Sequence, residues 1–491
     1  MAIQKSHLEK IVGKRNVLED EETLNNYAQD QSFVKKCMPD MVVFAETVEQ
    51  IQEVVRLANR TKTPITPFSS GLNLHGAAIP DQGGIILNMS RMNKIIMIDQ
   101  ENWFAVIEPG VTYQQLQEEL IQRGFRMMIP FGVHPNRSVL TSYMERDVVL
   151  AAPNFERGTS LIMDTEIVLP TGEIFRTGNW TCGGSPGSPA GPVRTLIYRL
   201  WTSAQGTFGI FTKIGLQIEP LPALRKIYFM PFQKIHHAAE AITKIQRKEI
   251  GLECFLLNNF NLSAMHTENW PIPQSFPVAQ IPSAEFNQLR NTFPPFMLVI
   301  CIDGGQRHPE NKIAYEEEAL KEICNVLNVE LRDCLQPVQR SAETMLEECL
   351  RPWRILKKFN YKGSVHDLMF KVPIELLPVI DQAMNELFQK RGFSKRDVGL
   401  FGVPLERGRG IHVEVDLHCD PSNESEKEGI KNLWEETSLE LMNRGAYFDR
   451  PYGAWAEMVY SRTTTYALKL KQLKVELDPN NIMNPGKLCF L

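Results

Sequence analysis

The sequence predicts an α+β protein with at least two cores, and three observations carry that prediction. The chain has 491 residues, beyond the ~250–300 at which a single hydrophobic core stops growing. Stretches with helical apolar spacing and short β-rich runs both recur along it, without one regular alternation. The dense punctuation Pro220-Leu-Pro222 divides a first unit, residues 1–222, from a second, residues 223–444. A composition of 43% hydrophobic and 23% charged residues is that of a chain folded throughout.

Within residues 47–59, Val48, Ile51, Val54, Val55 and Ala58 recur at helical intervals, and a strand is expected over 63–68. Three β-rich runs follow, at 84–88, 94–99 and 103–108. Residues 111–123 read as a helix with Thr112 as N-cap and Gly124 as its stop. Beyond Ile129 the composition is loop-like. Residues 160–169 and 173–177 form a hairpin around Pro170-Thr171-Gly172, and 178–192, rich in Gly, Pro and Ser, is expected as an irregular excursion or lid. Residues 210–218 read as a strand.

In the second unit a strand at 296–302 and helices at 309–327 and 378–390 continue the α+β pattern. Strict alternation over 411–417 makes a strand that sets His412, Glu414, Asp416 and His418 on one face. Such a face is either solvated, an acid–base cluster, or a metal site. Arg351-Pro-Trp-Arg354 offers guanidinium groups to clamp a carboxylate, or a structural role. The last segment, 445–491, is expected to hold one helix near 461–473 and an irregular tail. No internal repeat is visible.

A net charge of −5 without any long Lys/Arg block sets aside nucleic acid and anionic lipid as partners. The start has no apolar signal core, and no apolar run approaches the ~20 residues of a membrane span. Nine cysteines at irregular spacing, with no Cys-x-x-Cys pair, fit a reducing, cytoplasmic setting and match neither zinc nor iron–sulfur ligand spacing.

The loop Pro67-Phe-Ser-Ser-Gly-Leu-Asn-Leu-His-Gly-Ala-Ala78 leaves a strand with glycines and small polar residues. It can turn several backbone N–H groups towards one point, a concavity suited to a pyrophosphate, or it is a surface turn. It is followed in order by Leu87-Asn-Met-Ser-Arg-Met-Asn-Lys-Ile95, Val106-Ile-Glu-Pro-Gly-Val-Thr112, Thr207-Phe-Gly-Ile-Phe-Thr-Lys213 and Leu477-Asp-Pro-Asn-Asn-Ile-Met-Asn-Pro-Gly-Lys487. This succession closely resembles the FAD-linked oxidases of the vanillyl-alcohol oxidase and p-cresol methylhydroxylase (PCMH) family, over about 26–220 and again over 445–487. The region between resembles the family only loosely.

That resemblance implies a PCMH-type FAD-binding domain of two α+β subdomains, an α+β cap over the isoalloxazine ring, and a C-terminal segment returning to the FAD domain. It implies that Ser69, Ser70, Gly71, Leu72 and Asn73 cradle the pyrophosphate and that Pro109 and Gly110 shape the floor. Residues 138–146, with Ser138, Ser142 and Arg146, would form a second phosphate-side loop. There Asn136 and Arg137 stand where the family commonly has glycines. Gly209 and Ile210 would offer backbone contacts, and Lys487, in the returning segment, would add another. His75 lies about three places beyond the covalently linked His of some relatives, where this chain has Leu72. His75 and His134 are therefore either points of flavin attachment or ordinary loop histidines.

Gly445-Ala-Tyr-Phe-Asp-Arg450 resembles the family's Gly-x-x-x-Tyr-Arg segment, making Arg450 the cation beside the flavin N1 and C2 carbonyl. Asp449 replaces the tyrosine that phenol oxidases use. Tyr447 or Tyr452 would supply a phenol group from a shifted position, or Asp449 would act as a base. The expected activity is FAD-dependent oxidation of a small aromatic alcohol or para-alkylphenol by hydride transfer to flavin N5. The alternatives are a D-2-hydroxyacid dehydrogenase of the lactate or glycolate type, a flavoprotein subunit of an electron-transfer complex, or a relative with an empty site. Oxygen or a redox protein is the expected electron acceptor, and a homodimer or larger oligomer the expected assembly.

Overall fold

The computed structural model describes residues 3–150, 161–184, 197–274 and 283–490. Its first sheet has the strand order Val17–Leu18, Met41–Phe44, Ile85–Asn88, Ile65–Phe68, with the last two both parallel to each other and Met41–Phe44 parallel to Ile85–Asn88. Helix Val48–Thr61 makes the crossover between the parallel strands. Its predicted stripe is buried, and Thr47 caps it by accepting from the Gln50 N–H at 3.3 Å. Such a cap contributes about 1 kcal/mol. The C-terminal segment comes back to this sheet through a parallel bridge between Ile65 and Met483.

The second sheet is antiparallel, in the order Ile95–Asp99, Phe104–Ile107, Ile210–Gln217, Ile162–Val168, Ile174–Arg176. The last two strands are the expected hairpin. Helix Tyr113–Gln122 packs beside it, with Thr112 capping the Gln115 N–H at 3.2 Å.

Two local expectations are corrected here. Part of the loop-like stretch is a helix, Val139–Met144, nucleated by Ser138, whose hydroxyl accepts from the Thr141 N–H at 3.1 Å. Of the expected irregular excursion, Gly178–Cys182 is a 3-10 turn, closed by Thr181 Oγ1 donating to Gly178 O at 2.7 Å; residues 185–192 lie outside the described residues.

The cap is a six-stranded antiparallel sheet in the order Leu224–Phe232, Phe296–Gly304, Glu253–Asn258, Val398–Leu405, Gly410–Cys419, Ser364–Pro373. Helices Ile235–Arg247, Pro309–Leu327, Leu377–Lys390 and Glu424–Asn443 cover one face, where Ile411, Val413, Val415 and Leu417 are buried. The opposite face packs Phe255, Leu257 and Phe401 against Phe131, Val148 and Leu150 of the first half of the chain. A buried ion network ties the same boundary: Glu253 accepts from Arg126 at 2.7 Å and from Arg225 at 3.1 Å.

After the cap the chain forms two helices, Ala454–Tyr460 and Thr464–Leu477, where one was expected. The break at 461–463 follows the hydrogen bonds that close the first helix, and Thr463 begins the second. No helix among the described residues is long and apolar enough to cross a membrane.

Candidate active site

The glycine loop leaves strand Ile65–Phe68 at the edge of a cavity. Ser69 to Asn73 line it together with Pro109, Thr141, Glu145, Gly206, Gly209 and Ile210. The loop is tied across to the capped helix: Ser69 Oγ lies 2.7 Å from Thr141 Oγ1, Ser70 Oγ accepts from the Ser138 N–H at 3.1 Å, and Ser138 Oγ donates to Pro109 O at 2.6 Å. Gly71 has φ +67, and a Cβ there would lie 2.3 Å from the Phe68 ring. Among the described residues no hydrogen bond engages the backbone N–H of Ser70, Gly71, Leu72 or Asn73. Consecutive unused N–H groups on a left-handed turn are the donor set that a pyrophosphate requires, so these residues fit an FAD diphosphate.

A second cavity adjoins the first, sharing Leu72, Asn73 and Arg137, and is walled on the cap side by Leu356, Lys358, Val365, Asp367 and Glu414. His75 lines it and stacks on Tyr452, with ring centroids 5.2 Å apart; its Nε2 is 3.8 Å from Asp367. Burial, helped by the charges of Arg450 and Arg137 and opposed by Asp367, lowers the His75 pKa, so the imidazole is neutral at pH 7.

Arg450 is 5% exposed. Its Nη1 is 2.5 Å from Asp147 Oδ1 and its Nη2 is 3.9 Å from Glu414 Oε1. Arg137 meets the other Asp147 oxygen at 2.7 Å. Burial disfavours the charge on Arg450, but Asp147 and its neighbours outweigh it and hold the guanidinium protonated. Burial likewise opposes ionisation of Glu414, and the hydrogen bond from His412 at 3.0 Å, with the charges of His412, Lys358 and Arg450, reverses the balance and keeps it a carboxylate. Lys358 is bound to Asp416 at 2.6 Å. Tyr452 donates to Glu145 at 2.5 Å, and burial pushes the Glu145 carboxyl above its usual range.

Residues 39–178 match the family model described as "FAD binding domain", and 454–488 match "FAD linked oxidases, C-terminal domain". The chain is 25% identical to the 4-cresol dehydrogenase [hydroxylating] flavoprotein subunit of Pseudomonas putida, over 99% of this chain and 94% of that one. It superposes on 4-ethylphenol oxidase from Gulosibacter chungangensis with a TM-score of 0.83 at 20% identity, covering 99% of this chain and 96% of that one. The chain is an FAD-linked oxidoreductase with the PCMH-type fold. Glycolate oxidase subunit GlcD of Bacillus subtilis is also similar, at 23% identity over 94% of this oxidoreductase and 91% of that subunit. FAD is its cofactor.

The sequence-predicted residues of the oxidoreductase are distributed unequally around these cavities. Ser69, Ser70, Gly71, Leu72, Asn73, Pro109, Gly209 and Ile210 line the first, and His75 and His134 the second. Gly110, Ser138, Ser142 and Lys487 lie behind the linings: Ser142 donates to Asp147 at 2.5 Å, and Lys487 donates to Gly76 O at 3.1 Å. Arg146 lies 3.8 Å from Asp449, which also meets Lys371 at 3.2 Å.

Of the cap face, His412 and Glu414 join Arg450. His418 instead packs against Phe260 and Tyr361, at 4.7 and 5.5 Å between ring centroids, so the four residues do not form one ligand set. Tyr447 is 58% exposed and pairs through its backbone with Lys371. Asp147, Asp367, Lys358 and Glu145 escaped sequence reasoning. Each owes its place to long-range packing, and only Glu145-Arg146-Asp147, a charged run in a stretch read as loop, gave any sign.

Proposed function

We propose that this oxidoreductase acts on a neutral aromatic alcohol or para-alkylphenol. One observation carries the reading: the cations around the inner cavity are already matched to carboxylates. Arg450 and Arg137 share Asp147, and Lys358 holds Asp416, while Asp367 and Glu414 line the cavity besides. A 2-hydroxyacid needs an unengaged cation to clamp its carboxylate, and this charge balance repels one. Leu72, Leu356, Phe359 and Val365 supply apolar wall for a ring.

When bound, FAD supplies the hydride acceptor. Ser69 to Asn73 and Thr141 would hold the cofactor's diphosphate end, Gly209 and Ile210 would offer backbone contacts to the adenine or the ring system, and Arg450 would be the fixed cation that offsets the negative charge of reduction. Neutral His75, with Asp367 beside its Nε2, takes the substrate's hydroxyl proton. The electron acceptor is oxygen or a redox protein. A cytoplasmic homodimer belongs to the same proposal; it rests on the family resemblance and on nine cysteines that form no disulfide.

The test is anaerobic mixing of the purified flavoprotein with 4-hydroxybenzyl alcohol, 4-ethylphenol, D-lactate or glycolate, following the visible flavin absorption. Bleaching by the aromatic compounds alone is expected. Bleaching by the hydroxyacids alone overturns the substrate class and leaves the FAD assignment standing.

A further inference from the structure

The 3-10 helix Arg354–Asn360 is a wall with two sides. Leu356 and Lys358 face the cavity beside His75, whereas Arg354 and Lys357 line a separate cavity of about 420 Å3, together with His266, Glu268, Arg340 and Thr344 among others. This cavity is outside the flavin site, and the Arg-Pro-Trp-Arg motif that feeds it has no part in the proposed reaction.

The charges here are not internally matched. Lys357 is 5% exposed, and its ammonium donates to Thr267 O at 2.6 Å. Among the described residues no carboxylate oxygen forms an ion pair with Lys357 or with the Arg354 guanidinium. The carboxylate beneath them, Glu348, accepts from the Arg354 backbone N–H at 3.0 and 3.2 Å, yet burial pushes its pKa up to about 8, so at neutral pH it is largely the uncharged acid. Glu343 is taken by Arg340 at 3.2 Å, which leaves Glu268 as the remaining acidic group of the lining. His266 is 3% exposed, and its Nε2 has no hydrogen-bond partner. A buried ammonium, a guanidinium fork, an unsatisfied imidazole and a threonine hydroxyl around one space form a donor set without its acceptor.

We propose that this cap cavity binds a small oxyanion, the phosphate or carboxylate group of a small molecule, held by Arg354, Lys357, His266 and Thr344. Burial and the neighbouring Arg354 charge lower the Lys357 pKa to about 8, so the anion raises it again and binding near pH 8 takes up protons.

Isothermal titration of the FAD-loaded protein with inorganic phosphate, and in a second arm with acetate, tests the site at constant ionic strength set by chloride. Saturable binding of one ion per chain is expected, weakened at least tenfold by Arg354→Gln and by Thr344→Val and unchanged by Lys321→Gln, a surface control that is 61% exposed. Flavin content equal to wild type certifies that each variant is folded. Saturation by phosphate only, or by acetate only, supports the site and names the oxyanion. Heats that never saturate, or that Arg354→Gln and Thr344→Val both leave unchanged, overturn it.

Discussion

Arg450, at the point where the chain leaves the cap, meets Asp147, 303 residues earlier, at 2.5 Å between Nη1 and Oδ1. Because Asp147 also holds Arg137 and Ser142, one carboxylate fixes the position of two guanidinium groups between the cavities.

Removing either partner of this pair has separable consequences. Asp147→Asn leaves two buried cations short of a counter-charge and is expected to cost about 3–5 kcal/mol, seen as a lower urea midpoint. Arg450→Met is expected to slow anaerobic flavin reduction by about 100–1000-fold, as for loss of a group that stabilises developing charge, with FAD content retained. An Arg450→Met protein reduced at the wild-type rate would show that the guanidinium is idle.

Acid should weaken the fold progressively below pH 6.5. Burial lowers the pKa of His266 and of His366 to about 4, from an ordinary 6.5. Between pH 6.5 and 4 the unfolded chain therefore binds protons that the folded chain refuses at both sites, so stability falls as pH falls, by up to about 1.4 kcal/mol per site per pH unit. Urea midpoints at pH 7.5 and 5.0 measure the slope, and His366→Gln should make it shallower. Equal slopes in the two proteins would exclude His366 as a contributor.

Two glycines of the first half of the chain should respond differently to the same methyl group. At Gly110 a Cβ would lie 2.4 Å from Ser90 O and 2.8 Å from Met92 O, backbone atoms that no rotamer change moves away. Gly110→Ala is expected to lose bound flavin. At Gly124 nothing lies within 4 Å, and only φ +79 resists a side chain, so Gly124→Ala is expected to cost about 1 kcal/mol and keep its colour. Absorbance per mole of purified protein decides both.

Glu253 is enclosed with Arg126 and Arg225 and is 1% exposed. Glu253→Gln strands two guanidinium groups at the boundary with the cap and is expected to cost about 3–5 kcal/mol. Limited proteolysis should then cut more readily between the two halves. A cleavage pattern like that of wild type would show that the boundary does not depend on this carboxylate.

What the sequence discloses depends on periodicity. Val48, Ile51, Val54, Val55 and Ala58 announce their helix because a buried stripe must repeat every three to four residues. Val139–Met144 does not, since six residues hold no full repeat and its start is marked by one hydroxyl. The glycine loop is legible because a left-handed turn under a close approach restricts residue choice at Gly71. The Arg450–Asp147 pair is not, because an ion pair across 303 residues leaves no local trace. Alternation along Gly410–Cys419 identifies one face correctly as shared by four residues, yet only packing separates Glu414, beside Arg450, from His418, among aromatic rings.

The glycine loop is also clasped from the far end of the chain. Asn484 donates to Ala77 O at 3.1 Å and to Gln205 O at 2.6 Å, and Lys487 reaches Gly76 O. During synthesis the loop emerges more than four hundred residues before its clasp, so a nascent chain completes its strands long before it can retain a nucleotide. A product terminated before Asn484 is therefore expected to stay colourless however well its sheets form, because the loop would lack the residues that clasp it.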